Sequence, residues 1–203
     1  YSNHAVFQTA PVLIMEGPSQ LEKMQEAEMM TYMLITGSGI QSHLHAIANG
    51  ANMAFTRTAF NKVNGYEGNY HFASGDDLFL IEKMEKDFPQ QIHFVKSNEA
   101  VVLTKGKSDW QCLIAQRMRW ASKNSGLNRK SISNIWFFIG LYHFLIFLLF
   151  ILAIFQYKPK WPILLLLLVK WIADFMLLYS SAIFFKRNRI LRDFLPLQFL
   201  FFI

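Results

Sequence analysis

The feature that most restricts this chain is "IWFFIGLYHFLIFLLFILAIF", Ile135 to Phe155, an apolar run without a formal charge. As a helix, a run of about twenty such residues spans the hydrocarbon core of a bilayer. Backbone N–H and C=O groups in that core need partners within the segment, and a helix supplies them. Trp136 and Tyr157 lie near its ends, where amphipathic rings favour the membrane–water interface. After the turn "YKPKWP", a second run extends from Ile163 to Phe185, and a third begins at Phe194.

Basic residues flank these runs unevenly. Arg117, Arg119, Lys123, Arg129 and Lys130 precede the first, and Lys186, Arg187, Arg189 and Arg192 follow the second. The intervening turn carries only Lys158 and Lys160. Membrane proteins mark their cytoplasmic face with such an excess, so the part before Ile135 is expected in the cytosol. The same distribution argues against nucleic acid as the partner of the +6 net charge, since a nucleic-acid site gathers charge along one soluble surface. The lone Cys112 excludes an internal disulfide and fits a reducing compartment. Lys170 and Asp174 share one helix face inside the second run, either as a mutual ion pair or as a polar lining. Tyr1 is not a start methionine and the chain stops inside an apolar run, so a piece of a longer protein is expected.

Residues 1–131 read as a water-compatible domain and 132–203 as a membrane region, with spans at about 135–155, 163–185 and from 194. In the first part, "AVFQTAPVLIM" predicts a strand broken by Pro11. Ser19 and Glu22 form a capping-box pattern for a helix that Gly37 and Gly39 are expected to end. A short strand is expected over Met53–Phe55, then a short helix closed by Gly65. Leu80, Ile81, Met84 and Phe88 fall on one face of the helix after Asp77. Two strands are expected in "QIHFVKS" and "AVVLTK". A helix then starts at Ser108 or Asp109 with Trp110, Leu113 and Ile114 inward and Cys112 as packing. Interleaved strands and helices define the fold class as α/β.

Two patterns point to chemistry. "ASGDDLFL" places Asp76 and Asp77 together at a helix start, which suits helix stabilisation by negative charge, a metal ligand or a general base. Gln116, Arg119 and Trp120 fall at i, i+3 and i+4 and cluster on one helix face. His43, His45, His71 and His93 lack metal-ligand spacing and read as surface or loop histidines.

The series "NGANMAFTRTAFNKVNGY", "GDDLFL" and "QRMRW", followed by apolar spans, resembles the second half of the processive-type family-two glycosyltransferases, the synthases of cellulose, chitin, hyaluronan and poly-N-acetylglucosamine, and the related ceramide glucosyltransferases. The resemblance implies the C-terminal part of a GT-A domain followed by transmembrane helices. It implies inverting transfer from a nucleotide sugar, most often a UDP-sugar, to a saccharide or lipid-linked acceptor at the cytosolic face. Asp77 matches the catalytic base, with Asp76 as supporting acid where the family usually has a Thr-Glu pair. Gln116, Arg119 and Trp120 match the QxxRW motif that meets donor pyrophosphate and acceptor. Asn52 and His71 are further candidates for substrate contact. The divalent metal, Mg or Mn, would be held mainly by a half upstream of Tyr1, and no metal ligands are assigned in this chain. In such a transfer a carboxylate takes the proton of the attacking hydroxyl, and a planar guanidinium meets the departing diphosphate. The rival reading is a non-catalytic membrane scaffold or transport subunit that retains a degenerate transferase-like domain.

Overall fold

A computed structural model describes residues 5–68, 75–124, 130–154 and 161–200. Two short strands open the chain, β1 (Phe7–Thr9) and β2 (Val12–Ile14). Pro11 separates them because it has no N–H to continue a ladder. The break sends the strands into different sheets. β1 pairs antiparallel with β3 (Met53–Phe55) and parallel with β4 (Ile92–Phe94), whereas β2 pairs parallel with β5 (Val102–Thr104).

Between β2 and β3 runs α1 (Gln20–Gln41). Ser19 Oγ accepts the Glu22 N–H at 3.1 Å while Glu22 Oε2 accepts the Ser19 N–H at 3.1 Å, so the capping box forms as expected. The helix does not stop at Gly37 or Gly39. Both glycines serve close packing. A Cβ on Gly37 would lie 2.8 Å from the Phe94 ring, and one on Gly39 would lie 2.2 Å from the His45 ring. The stop comes later, where His43 takes φ 54° and the Leu44 N–H donates to Gly39 O at 3.0 Å. His45, expected at the surface, is buried against Gly39.

The short α2 (Arg57–Lys62) follows β3, capped by Thr56, and α3 (Asp76–Asp87) precedes β4. Leu80, Ile81 and Met84 are fully buried against Phe7, Ile40, Ala59 and Ile92, which seats α3 on the first sheet. After β5 come α4 (Trp110–Asn124), α5 (Lys130–Ile154) and α6 (Trp161–Phe184). A 3-10 segment at Asn188–Asp193 then leads into α7 (Phe194–Leu200). In α4 only Leu113 points inward of the three residues expected to do so, and Trp110 and Ile114 are exposed. Cys112 is likewise exposed rather than packed.

Among the described residues, one helix segment, Leu164–Phe184, is long and apolar enough to cross a membrane. The first expected span lies in α5 as far as Ile154, with Gly140–Leu149 as its described apolar stretch, and Phe155 falls outside the described residues. The third begins α7. A second core crosses the division drawn at residues 131 and 132. Met24, Met30 and Met33 of α1 pack with Leu113, Leu178, Ala182, Phe185, Ile190 and Leu197. Ion pairs secure this junction. Glu26, fully buried, accepts from Arg187 Nη1 at 2.9 Å and from Arg189 Nη2 at 2.7 Å, and Lys23 pairs with Asp193 at 2.9 Å. Arg187 and Arg189, expected as markers of the cytoplasmic face, therefore also staple the end of α6 onto α1.

Candidate active site

The doubled carboxylate stands in the first turn of α3. Gly75 leads into it with φ 109° and ψ 13°, a left-handed conformation that glycine adopts without strain. Exposed amides at this end favour negative charge, so both aspartates have a local reason to be there. Their surroundings separate them. Asp76 is exposed to solvent. Asp77 is half-buried, and its Oδ1 accepts the Leu78 N–H at 3.0 Å while its Oδ2 accepts the Gly50 N–H at 2.9 Å. The second bond reaches across 27 residues, which stabilisation of a helix end does not require. It fixes the Asp77 carboxylate in the tertiary structure.

Gly50 belongs to a turn closed by Asn49, whose Oδ1 accepts from Ala51 N at 3.0 Å and whose carbonyl accepts from Asn52 N at 2.9 Å. A Cβ at Gly50 would lie an ordinary 3.5 Å from Asp77 Oδ2, so space alone does not demand glycine there. Asn52 has a structural task. Its Nδ2 donates to Pro11 O at 2.8 Å and to Ala100 O at 2.7 Å, clamping the point where the chain passes from one sheet to the other. With both amide hydrogens so engaged, a substrate would find only its side-chain oxygen. His71 lies outside the described residues.

The second cluster rides on α4. Asp109 caps that helix, its Oδ1 accepting the Cys112 N–H at 2.7 Å. That backbone bond, with lesser help from the Cys112 thiol and Ser108, holds the Asp109 carboxyl below its usual range. Its bond to the Cys112 thiol and its charge push that thiol up. Further along, Gln116 is half-buried, Arg119 exposed, and Trp120 half-buried against the second core. The guanidinium of Arg117 lies 4.5 Å from the Trp120 ring centroid and also ion-pairs with Glu28 of α1. Arg117, expected only as part of the basic flank, thus occupies one region of the Trp120 surface and ties α4 to α1.

Sequence reasoning did not single out Glu28 or Tyr32, one turn apart on α1. Burial pushes the Glu28 carboxyl up, and the Arg117 charge opposes it. The Tyr32 hydroxyl is pushed up by burial and further by the charge of Asp77, which acts across the space between α3 and α1. One face of α1 therefore borders both clusters. Nothing local marks these two residues, because a Glu and a Tyr one turn apart read as ordinary helix.

Inside α6, Lys170 is buried and donates to Asp174 Oδ2 at 2.5 Å and to Gln198 Oε1 of α7 at 3.0 Å. The mutual ion pair considered from the sequence is thus present, with an amide from a neighbouring helix added. Among the described residues, no group of three or more His, Cys, Asp or Glu side chains forms a metal ligand set. No protein-family model, curated protein or solved structure matches the chain.

Proposed function

We propose that this chain is the C-terminal catalytic part of an inverting glycosyltransferase at the cytosolic face of a membrane, moving a sugar from a nucleotide-sugar donor to a saccharide or lipid-linked acceptor. Asp77 is the general base that takes the proton of the attacking hydroxyl. Asp76, beside it and exposed to solvent, keeps negative charge next to the base or holds a neighbouring hydroxyl. Arg119 offers a planar fork to the leaving diphosphate, with Gln116 one turn earlier on the same helix. Trp120 presents to the acceptor the part of its ring that Arg117 leaves open.

The observation that carries this reading is the convergence on α1. Asp77 acts electrostatically on Tyr32, and one turn away Glu28 pairs with Arg117 in the middle of "QRMRW". The ion pair ties the "QRMRW" helix to α1, and the charge felt at Tyr32 sets the Asp77 carboxylate toward the same helix, an arrangement that suits a displacement with a base at one end and a cation at the other.

The test is nucleotide release by the full-length protein in membranes, scored with UDP- and GDP-sugars. Release should depend on one donor and fall by about 10²–10⁴-fold in Asp77→Asn, the span typical of a lost general base. Release that survives the substitution removes Asp77 from that role and moves it to Asp76. Folded protein that releases nucleotide from no donor supports the scaffold or transport alternative.

A further inference from the structure

The helix that carries Gln116, Arg119 and Trp120 is fastened to α1 at three levels. Just before α4 begins, Gln25 holds Lys107 by two bonds, its Nε2 donating to the Lys107 carbonyl at 2.9 Å and its Oε1 accepting the Lys107 N–H at 2.7 Å. In the first turn of α4, Leu113 is buried in the second core. Farther along, Glu28 of α1 accepts from the Arg117 guanidinium, which stands 4.5 Å from the centre of the Trp120 ring. The first two fastenings use an amide and an apolar side chain, so they are indifferent to pH. The third depends on the charge of one carboxyl.

While Glu28 is charged, the guanidinium is held at the Trp120 ring, where a cation is attracted to the π face. A neutral carboxyl still accepts a hydrogen bond but gives up the charge assistance, about half of its strength. Glu28 also loses its charge sooner than an exposed carboxyl does, because burial pushes it up by more than Arg117 pulls it down. On the side away from Arg117 it borders a cavity of about 270 Å³ walled by α1, α5, α6 and α7. The ionisable neighbours there are Tyr32, His143, Lys170 and Asp174. Lys170 gives its ammonium to Asp174 and Gln198, so Arg117 is the counter-charge that reaches Glu28. Lifting the far half of α4 would remove the Arg117 attraction and leave the burial on the cavity side. The lifted state therefore binds the proton more tightly than the seated one, and acid favours it by linkage.

We propose that Glu28 is a positioning residue of the candidate site: its carboxylate, acting through Arg117, seats Trp120 and the far half of α4 against α1, and a proton on that carboxylate unseats them. The consequence for sugar transfer rests on the transferase reading, whereas the seating itself is measured without turnover.

The test follows hydrogen exchange of the full-length protein in nanodiscs from pH 7 to pH 4, each rate divided by its intrinsic rate at that pH. Exchange over Arg117–Ala121 should rise about two- to fivefold toward acid, the size of a part-exposed ion pair. The pinned start around Lys107 and α1 itself should keep their protection. Glu28→Gln should exchange at the faster rate at every pH, and Arg117→Gln should match it from the other side of the pair. Glu28→Asp, which keeps the charge, should restore the pH step. Nucleotide release in membranes, with the donor selected from the UDP- and GDP-sugars, should fall by about the same two- to fivefold at neutral pH in Glu28→Gln. That variant should also lose the part of the acid-side decline that coincides with the exchange step. A flat exchange profile in the unsubstituted protein, or a step that persists in Glu28→Gln, overturns the proposal, and a persisting step moves the proton to His143 or Asp174. Release that Glu28→Gln leaves unchanged at neutral pH, with its full acid-side decline, overturns the role of Glu28 in the site. An intact exchange step in a protein that turns over no donor sinks the transferase reading and leaves the seating of α4 by Glu28 standing.

Discussion

Glu26 offers the sharpest quantitative test of how the two halves are joined. It is fully buried, and each carboxylate oxygen accepts from a different guanidinium, Arg187 at 2.9 Å and Arg189 at 2.7 Å. Glu26→Gln keeps the shape but removes the charge, and its amide NH₂ must face one of two donors. Removing one partner of a buried ion pair costs about 3–5 kcal/mol. The lower end applies here for two reasons. Arg187 retains the Ile14 carbonyl at 2.6 Å, and Arg189, about one-third exposed, retains Glu16 at 3.0 Å. A loss of about 3 kcal/mol in a chain of this size lowers the melting temperature by about 6–12 °C. The control is Glu16→Gln. Glu16 contacts the same Arg189 but is 55% exposed, and surface pairs contribute about 0–1 kcal/mol. Thermal unfolding of the full-length protein in detergent, followed by tryptophan fluorescence, reads both. Hydrogen exchange should also accelerate selectively over Lys186–Asp193 in Glu26→Gln. A melting shift no larger than that of Glu16→Gln would refute the claim that this junction is held by buried charge.

Two further outcomes follow from the packing and titration of α1. Gly39→Ala gains about 0.5–1 kcal/mol of helix propensity, but its Cβ would stand 2.2 Å from the buried His45 ring, and overpacking costs about 1–3 kcal/mol. The clash wins, so the variant melts lower, and a higher melting point would show that His45 moves aside freely. Glu28 has its folded carboxyl raised above the ordinary 4.5 by burial, so between that value and the raised one the folded state holds more protons than the unfolded. Stability then falls as pH rises through that window, and Glu28→Gln should lack that component of the slope in melts taken from pH 4 to 7; parallel slopes would count against it.

The sequence conveyed local structure well wherever one periodicity or cap decided it. The Ser19–Glu22 box, the strand break at Pro11, and the buried stripe of Leu80, Ile81 and Met84 are each settled by bonds or burial within a few residues. Errors arose where the deciding partner was distant. Gly37 and Gly39 carry the residue type of a helix stop, but Phe94 and His45 fill the space beside them and the helix continues. Apolarity alone points Trp110 and Ile114 inward and makes Cys112 a packing residue, yet all three are exposed and Leu113 takes the core position.

The candidate site shows the same division. Asp77 and the Gln116–Arg119–Trp120 spacing were visible because each motif is contiguous or helical in period. Their common wall was not visible, because it depends on the rotational setting of α1, and that setting depends on contacts with segments far along the chain. Met30 and Met33 face Leu178, Ala182 and Leu197 in the second core, while Glu26 binds Arg187 and Arg189 just beyond α6. Those contacts fix the rotation, and the rotation turns Glu28 toward Arg117 and brings Tyr32 under the charge of Asp77. The apolar segments that first defined the chain therefore have a packing role of their own. Packed against α1, they set the orientation of the helix that borders both halves of the candidate site, so a change at the α6–α1 junction should disturb the site without touching any of its motifs.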